Sequence, residues 1–445
     1  MKNFAIVNLG CSRNLVDSEV MAGCLKAGGF RQGALRDGVE VCVVNTCAFV
    51  NSAREESVDA IIEAGDLKKK GKIRHLVIAG CLSQLYKEKL AKELPEADLV
   101  IGTSDFSRIV ELINGLKKRS IRSAVSSRLD YIYDEDSPRS LFTPKHYAYV
   151  KISEGCSNLC SYCIISRLRG DFRSRAIESV AAEVQGLAGT GTLKEIELIG
   201  QDTTLFGIDR YGKPELPRLL HDICGMKNSI RWVRLLYTHP AHYTDSLIEM
   251  IAAEEKICKY LDLPIQHISD KILKLMNRKV TKDEVVRLVH KLRDRIPGLI
   301  LRTSVIVGFP QETEKDFKEL MSFLKDAKFE RLGAFTYSRE EGTHASGLKG
   351  QLSESVKKKR YDEVMKLQRS ISAEANKRFL GKEIDVLVDE KAPLEDNKFL
   401  ARTQGDAPEV DGTVYVTGKN IKVGDFCRVR ITDTLEYDLA GEAVK

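Results

Sequence analysis

The chain has 445 residues, of which 43% are hydrophobic and 30% charged, with a net charge of +6 and eleven cysteines. That length exceeds one ordinary core and predicts roughly two to four domains. No apolar run approaches the ~20 residues needed to cross a bilayer, and MKNFAIVNLG at the start lacks the series of regions that marks a signal peptide; a cytoplasmic enzyme is the expectation, with no membrane partner.

The first ~115 residues alternate short apolar strands with amphipathic helices. FAIVNLG, VEVCVVNTC, HLVIAGC and ADLVIGT read as strands, and residues 14–26, 52–69, 84–93 and 106–116 as helices. This pattern predicts an α/β sandwich around a parallel sheet covered on both faces. RSAVSSRLDYIYDEDSPRSLFTP mixes charge, Ser and Pro and reads as a linker. From Tyr147 a longer βα series begins, with strands YAYVKISEG, EIELIGQD, WVRLLYT, YLDLPIQH, LILRTSVIVGF and RLGAFTYS. Six βα units predict a partial parallel barrel whose site lies at the C-terminal ends of its strands. The last ~65 residues, EIDVLVDE, KFLARTQ, GTVYVTG, FCRVRITDT and YDLAGEAV, read as a small OB-like β-barrel. The expected domains are 1–122, a linker at 123–143, 144–376 and 377–445.

Cysteine usage argues against a disulfide scaffold and for metal binding or catalysis. Cys24, Cys42, Cys224, Cys258 and Cys427 sit in apolar or strand-like contexts and read as core residues. Cys156, Cys160 and Cys163 form CxxxCxxC, three thiolates within eight residues. A four-iron cluster held by three cysteines leaves one iron open to a non-protein ligand. Cys11, Cys47 and Cys81 each follow a predicted strand, in NLGC, VNTC and IAGC, so an open sheet would bring them to one edge. Gly10 and Gly80 precede two of them and allow tight turns. Three unrelated buried thiols, or zinc, are the alternatives; structural zinc wants four protein ligands, and three thiolates again suggest a cluster.

CxxxCxxC, with Tyr162 before its last cysteine, resembles the radical S-adenosylmethionine (SAM) superfamily over residues 147–338. The resemblance implies that the open iron chelates SAM, that one electron cleaves it to a 5′-deoxyadenosyl radical, and that Tyr162 flanks the adenine. At other strand ends Gly200, Gln201 and Asp202, then Gln266 and His267, then Gly308 and Glu312 are candidate cofactor contacts. Asp202 and Thr313 also fit as helix caps, and His267 reads as a hydrogen-bonded structural residue. Arg167, Arg169, Arg173 and Arg175 are either a solvated face or substrate contacts through bidentate guanidinium groups.

The whole order resembles the methylthiotransferase family: a three-cysteine domain, a radical SAM core and a C-terminal TRAM domain. The strings LGCSRNLVDSE, QDTT, FTYSREEGTHA and DAPEVDG resemble its RimO-type, ribosomal-protein-modifying branch. One departure is Ser166, where the family usually has Pro after CII. The resemblance implies two [4Fe–4S] clusters facing each other across a domain interface. One makes the radical on Cys156, Cys160 and Cys163; the other presents sulfur on Cys11, Cys47 and Cys81. A second SAM gives the methyl group. The implied product is 3-methylthioaspartate in ribosomal protein S-twelve of the small subunit. The implied partners are that basic protein, an electron donor such as flavodoxin or ferredoxin, and a sulfur donor. Residues 381–445 hold nine Lys and Arg against fourteen Asp and Glu, a net of −5, which suits a basic protein better than RNA. The alternatives are a MiaB-type tRNA adenosine methylthiotransferase and a non-catalytic, zinc-dependent RNA-binding protein.

Overall fold

The computed structural model describes residues 2–116, 122–393, 395 and 397–444. Contacts divide the chain into two units. The first comprises Met1–Phe142, Lys151–Leu159 and Cys163–Val180; the second comprises Thr143–Val150, Cys160–Tyr162 and Ala181–Lys445. Among the described residues no helix is long and apolar enough to cross a membrane.

In the first unit, strands β1 (Asn3–Asn8), β2 (Arg31–Gln32), β3 (Val39–Thr46), β4 (Ile73–Gly80), β5 (Leu99–Ile101) and β6 (Ser123–Ala124) form one parallel sheet, ordered β2-β1-β3-β4-β5-β6. Helices α1 (Ser12–Ala27), α2 (Asn51–Lys69), α3 (Cys81–Tyr86), α4 (Glu88–Glu93) and α5 (Ile109–Leu116) connect them. β3 is the central apolar run expected of a parallel strand buried on both faces, from Val41 through Thr46. The single helix read over 84–93 is two, because Lys87 takes a left-handed φ of 49° between them.

The segment read as a loose linker is fastened. Arg139 donates to Glu19 at 2.6 Å, and the Phe142 N–H donates to the other oxygen at 2.7 Å. Gly23 on α1 makes this possible, since a methyl there would lie 2.3 Å from the Pro138 carbonyl.

In the second unit, β7 (Tyr147–Lys151), β10 (Glu195–Ile199), β11 (Trp232–Leu235), β12 (Ile257–Asp262), β13 (Ile300–Val307) and β14 (Arg331–Thr336) follow chain order across one open six-stranded sheet; two short strands of the first unit, β8 (Ser153–Glu154) and β9 (Arg173–Ser174), pair with each other. Thr313 closes a capping box with Asp316 at the start of the helix Glu314–Ala327, which settles its role.

β15 (Glu383–Lys391), β16 (Lys398–Arg402), β17 (Val414–Thr417), β18 (Phe426–Thr434) and β19 (Leu439–Ala443) close into a barrel, order β15-β16-β17-β19-β18. Alternate residues such as Val386, Val388, Val414, Val416, Val429 and Ile431 fill it. Its loop 403–412, which contains DAPEVDG, packs on the six-stranded sheet. Asp406 pairs with Arg331 at 2.7 Å, and Asp411 accepts from Tyr260 at 2.7 Å and pairs with Arg302 at 3.3 Å. Those carboxylates are neutralised inside the protein, so the barrel's sequence charge overstates what solvent meets.

Candidate functional site

Sheet topology delivers Cys11, Cys47 and Cys81 to one edge. Cys11 follows β1 and caps α1, Cys47 follows β3, and Cys81 follows β4 and opens α3. β1 pairs with β3, and β3 with β4, where Thr46 stands opposite Gly80. Gly10 and Gly80 have φ of +99° and +94°. A methyl at Gly10 would sit 2.9 Å from Cys47 Cβ, and one at Gly80 2.5 Å from the Thr46 carbonyl. These turns need glycine so that backbone and thiols can approach closely.

Polar side chains that the sequence reading passed over stitch the edge together. The Asn14 amide donates to the carbonyls of Leu9 (3.1 Å) and Thr46 (2.9 Å). Asn45 donates to the carbonyl of Asn14 and to Ser18 Oγ, both at 2.8 Å. Thr46 Oγ1 donates to the Ala79 carbonyl at 2.6 Å and accepts from the Leu82 N–H at 3.2 Å. Ser57 Oγ accepts from the Cys47 N–H at 3.0 Å. The available signal was Asn-Thr ending an otherwise apolar strand, since buried polar groups require partners.

The three thiols sit close enough to perturb one another's charge. Burial pushes Cys81 up to about 11 against the pull of Arg169, and also raises Cys47. At Cys11 burial is outweighed by Arg13, the Asn14 N–H and Arg169, and the thiol is held below its ordinary value. A convergent, largely buried set of three soft donors with glycine clearance fits a sulfur-ligated metal centre, whose positive charge would displace the protons.

The CxxxCxxC segment is shaped on both sides of its cysteines. In the first unit Gly155 takes φ +78°, and a methyl there would lie 2.1 Å from the Asp171 carbonyl oxygen. The Cys156 N–H donates to the Gly170 carbonyl at 3.1 Å, and Cys163 Sγ accepts from the Ile165 N–H at 3.5 Å. In the second unit Arg278 donates to Cys160 Sγ at 3.6 Å and to the Pro264 carbonyl at 2.5 Å. Tyr162 packs among Ile272, Met276, Phe309 and Tyr337. Leu159, with φ +52° and 62% exposed, projects from the loop.

The remaining candidates are dispersed in role. Asp202 is buried, accepts from the Thr204 N–H at 3.2 Å and lies 2.8 Å from His242 Nδ1. Glu312 is buried, accepts from Phe309 N–H at 3.0 Å and from Arg360 at 2.7 Å. Gln266 takes a left-handed φ of 68° and bridges β13 through its backbone. The open side of Gly308 faces Lys357, whose Cγ is 2.3 Å from where a methyl would be. His267 is structural, its Nδ1 accepting from the Ser269 N–H at 3.0 Å. Of the four arginines, Arg167 is exposed and Arg173 half-buried. Arg175 is buried and donates to Ser179 Oγ at 2.9 Å. Arg169 ends the short helix α6 (Ile165–Arg169), is buried and donates to Asp17 at 2.6 Å. The arginines thus share no single face.

Asp202, His239 and His242 form a trio that the sequence reading missed, and the two imidazoles stack at 4.7 Å. His239 Nδ1 accepts the Ala241 N–H at 3.2 Å, which places the proton on Nε2 and leaves no lone pair for an ion. The trio is a hydrogen-bonded cluster at the ends of β10 and β11.

Comparisons with known proteins agree with this architecture. Family models match residues 3–102 (Uncharacterized protein family UPF0004), 150–324 (Radical SAM superfamily) and 380–444 (TRAM domain). As a radical SAM protein the chain works with a [4Fe–4S] cluster and SAM. Among solved structures, the radical SAM methyltransferase TsrM from Kitasatospora setae superposes with a TM-score of 0.55 at 14% identity, over 75% of this chain and 73% of that one, a likeness of fold alone. Ribosomal protein uS12 methylthiotransferase RimO from Desulforamulus reducens is 46% identical over 443 residues, covering 99% of both chains. RimO from Clostridioides difficile is 45% identical over 446 residues, 100% of this chain and 99% of its own. The chain belongs to the RimO family of methylthiotransferases.

Proposed function

We propose that this chain places a methylthio group on the β-carbon of an aspartate in ribosomal protein uS12. It would use one [4Fe–4S] cluster on Cys156, Cys160 and Cys163 and a second on Cys11, Cys47 and Cys81. The carrying observation is the convergence of those last three thiols at one sheet edge, in a chain whose full length aligns with RimO relatives.

Each set offers three thiolates and leaves one coordination position that the protein does not fill. When bound, the cluster and SAM supply the one-electron chemistry needed at an unactivated C–H bond. The chain's own residues orient and shield. Gly155, Gly10 and Gly80 let the thiol-bearing turns close, Arg278 holds Cys160 from one side, and Asn14 ties the Leu9 and Thr46 carbonyls next to Cys11 and Cys47. Tyr162, Gln201, Asp202, Gln266 and Glu312 are the proposed surroundings of SAM, whereas Gly308, packed against Lys357, leaves no open face for it; Arg167, on the surface, is the proposed substrate contact among the arginines. A flavodoxin or ferredoxin as electron donor and a separate sulfur donor complete the partners.

The test is anaerobic incubation of the reconstituted enzyme with SAM, reductant and either uS12 or tRNA, followed by mass spectrometry. Methylthiolated aspartate in a uS12 peptide is expected. Modified tRNA with unmodified uS12 would overturn the assignment, and zinc without iron would overturn the chemistry.

A further inference from the structure

Arg169 lies six residues beyond Cys163 in sequence, yet its guanidinium reaches the other cysteine set. It is 3% exposed. Nη1 donates to Asp17 Oδ2 at 2.6 Å and to Glu154 Oε2 at 3.3 Å. Nη2 donates to Asn14 Oδ1 at 2.7 Å and to Cys81 Sγ at 3.5 Å. Lys151 completes a buried quartet, with Asp17 Oδ1 at 2.5 Å and Glu154 Oε2 at 2.6 Å.

Two cations and two carboxylates balance within that quartet, so the charges need nothing from Cys81. The guanidinium's second fork is nonetheless turned away from the carboxylates, toward the thiol and the amide. That amide binds the Leu9 and Thr46 carbonyls, which lie one or two residues before Cys11 and Cys47. Arg169 and Asn14 thus touch all three thiol-bearing turns. A buried ion quartet contributes little net stability, since desolvation offsets attraction. A planar donor that cannot lose its proton, aimed at a ligand sulfur, is instead suited to holding and tuning a metal ligand.

From this geometry we infer that Arg169 is a positioning residue for the centre on Cys11, Cys47 and Cys81: it fixes the Cys81 sulfur and, through its N–H···S bond, sets the reduction potential of that centre. The inference rests on the proposal that these three cysteines hold a cluster. Hydrogen bonds to cluster sulfurs stabilise the more negative, reduced state. Losing one shifts the potential downward.

The experiment uses full-length protein carrying Cys156→Ala, Cys160→Ala and Cys163→Ala, in which any remaining iron belongs to the N-terminal set. Iron content after reconstitution tests the parent reading first: about four irons per chain are expected, and none would overturn that reading rather than this one. Arg169→Lys, which keeps the charge but not the fork, and Arg169→Met are then compared with the parent by spectroelectrochemical titration. Both are expected to bind iron and to show a more negative midpoint potential. In the enzyme with all six cysteines, Arg169→Lys should lower methylthio transfer by about tenfold or more, the usual cost of losing a partner of a metal ligand, while 5′-deoxyadenosine formation stays near the parent rate. An unchanged potential in a folded variant would overturn the inference. So would loss of cooperative melting in both variants, the lysine included, which would make the guanidinium purely structural.

Discussion

Replacing Gly155 with alanine probes the turn that presents Cys156. Gly155 holds φ at +78°, and an added methyl would stand 2.1 Å from the Asp171 carbonyl oxygen and 2.6 Å from that of Gly170. The neighbours are backbone, anchored by the Cys156 N–H bond to the Gly170 carbonyl, so they cannot swing aside as a side-chain tip would. A left-handed backbone costs an L-residue about 1–2 kcal/mol, and overpacking costs about 1–3 kcal/mol more. The sum, about 2–5 kcal/mol, strains the loaded loop, and at about 1.4 kcal/mol per factor of ten it weakens cluster binding on the order of 30-fold to several thousand-fold. Anaerobic reconstitution followed by iron analysis and 5′-deoxyadenosine assay reads the effect. Gly29→Ala is the control, because Gly29 has φ +83° but nothing within 4 Å of the added methyl; it should cost only the backbone part and leave iron binding intact. A Gly155→Ala protein that loads iron and cleaves SAM like the parent would refute the steric argument.

The two cysteine sets should separate by variant: Cys160→Ala abolishes SAM cleavage, whereas Cys47→Ala leaves cleavage but no methylthiolated product, both read by chromatography of the same reaction. Asp406→Ala removes the carboxylate facing buried Arg331 and should destabilise the packing of the C-terminal barrel by about 3–5 kcal/mol, seen as a lower urea midpoint. The lone tryptophan, Trp232, is the reporter for that transition, since its ring meets Phe426 of the barrel edge-on at 4.8 Å. Burial would raise the Asp389 carboxyl, but His146 and Arg402 outweigh it and hold the group below its usual range. Its stabilising contribution is therefore complete above about pH 4, the ordinary aspartate value, and drains away as pH falls through the lower folded value; an Asp389→Asn protein should show a flatter loss of barrel stability in acid, by the same fluorescence.

The RimO-like strings gain physical content from the fold. In LGCSRNLVDSE, Asn14, Asp17 and Glu19 are buried polar groups, bonded respectively to the sheet-edge carbonyls, to Lys151 and Arg169, and to Arg139. In QDTT, Thr204 donates to Asp202 and accepts from the His239 N–H at 3.3 Å, Asp202 also meets His242, and Thr203 reaches the Leu236 carbonyl at 2.8 Å. DAPEVDG fastens the barrel to the sheet through Asp406 and Asp411. These three strings thus carry buried hydrogen bonds and ion pairs where sequence alone allows only a family likeness to be read.

The sequence by itself determined the βα alternation, the closed C-terminal barrel and the two cysteine sets. These depend on local period, on chain spacing and on the rule that parallel strands deliver their ends to one edge. Tertiary structure alone decided which polar groups are buried and against what. Arg169 and Arg175 turn inward from a stretch that reads as a basic face, Gly308 lies against Lys357 rather than open space, and the linker is clamped at Glu19. The physical reason is range. Periodicity is fixed within a few residues, whereas the partner of a buried charge can lie 155 residues away, as Asn14 does from Arg169, and is chosen only when the packed chain removes water from both.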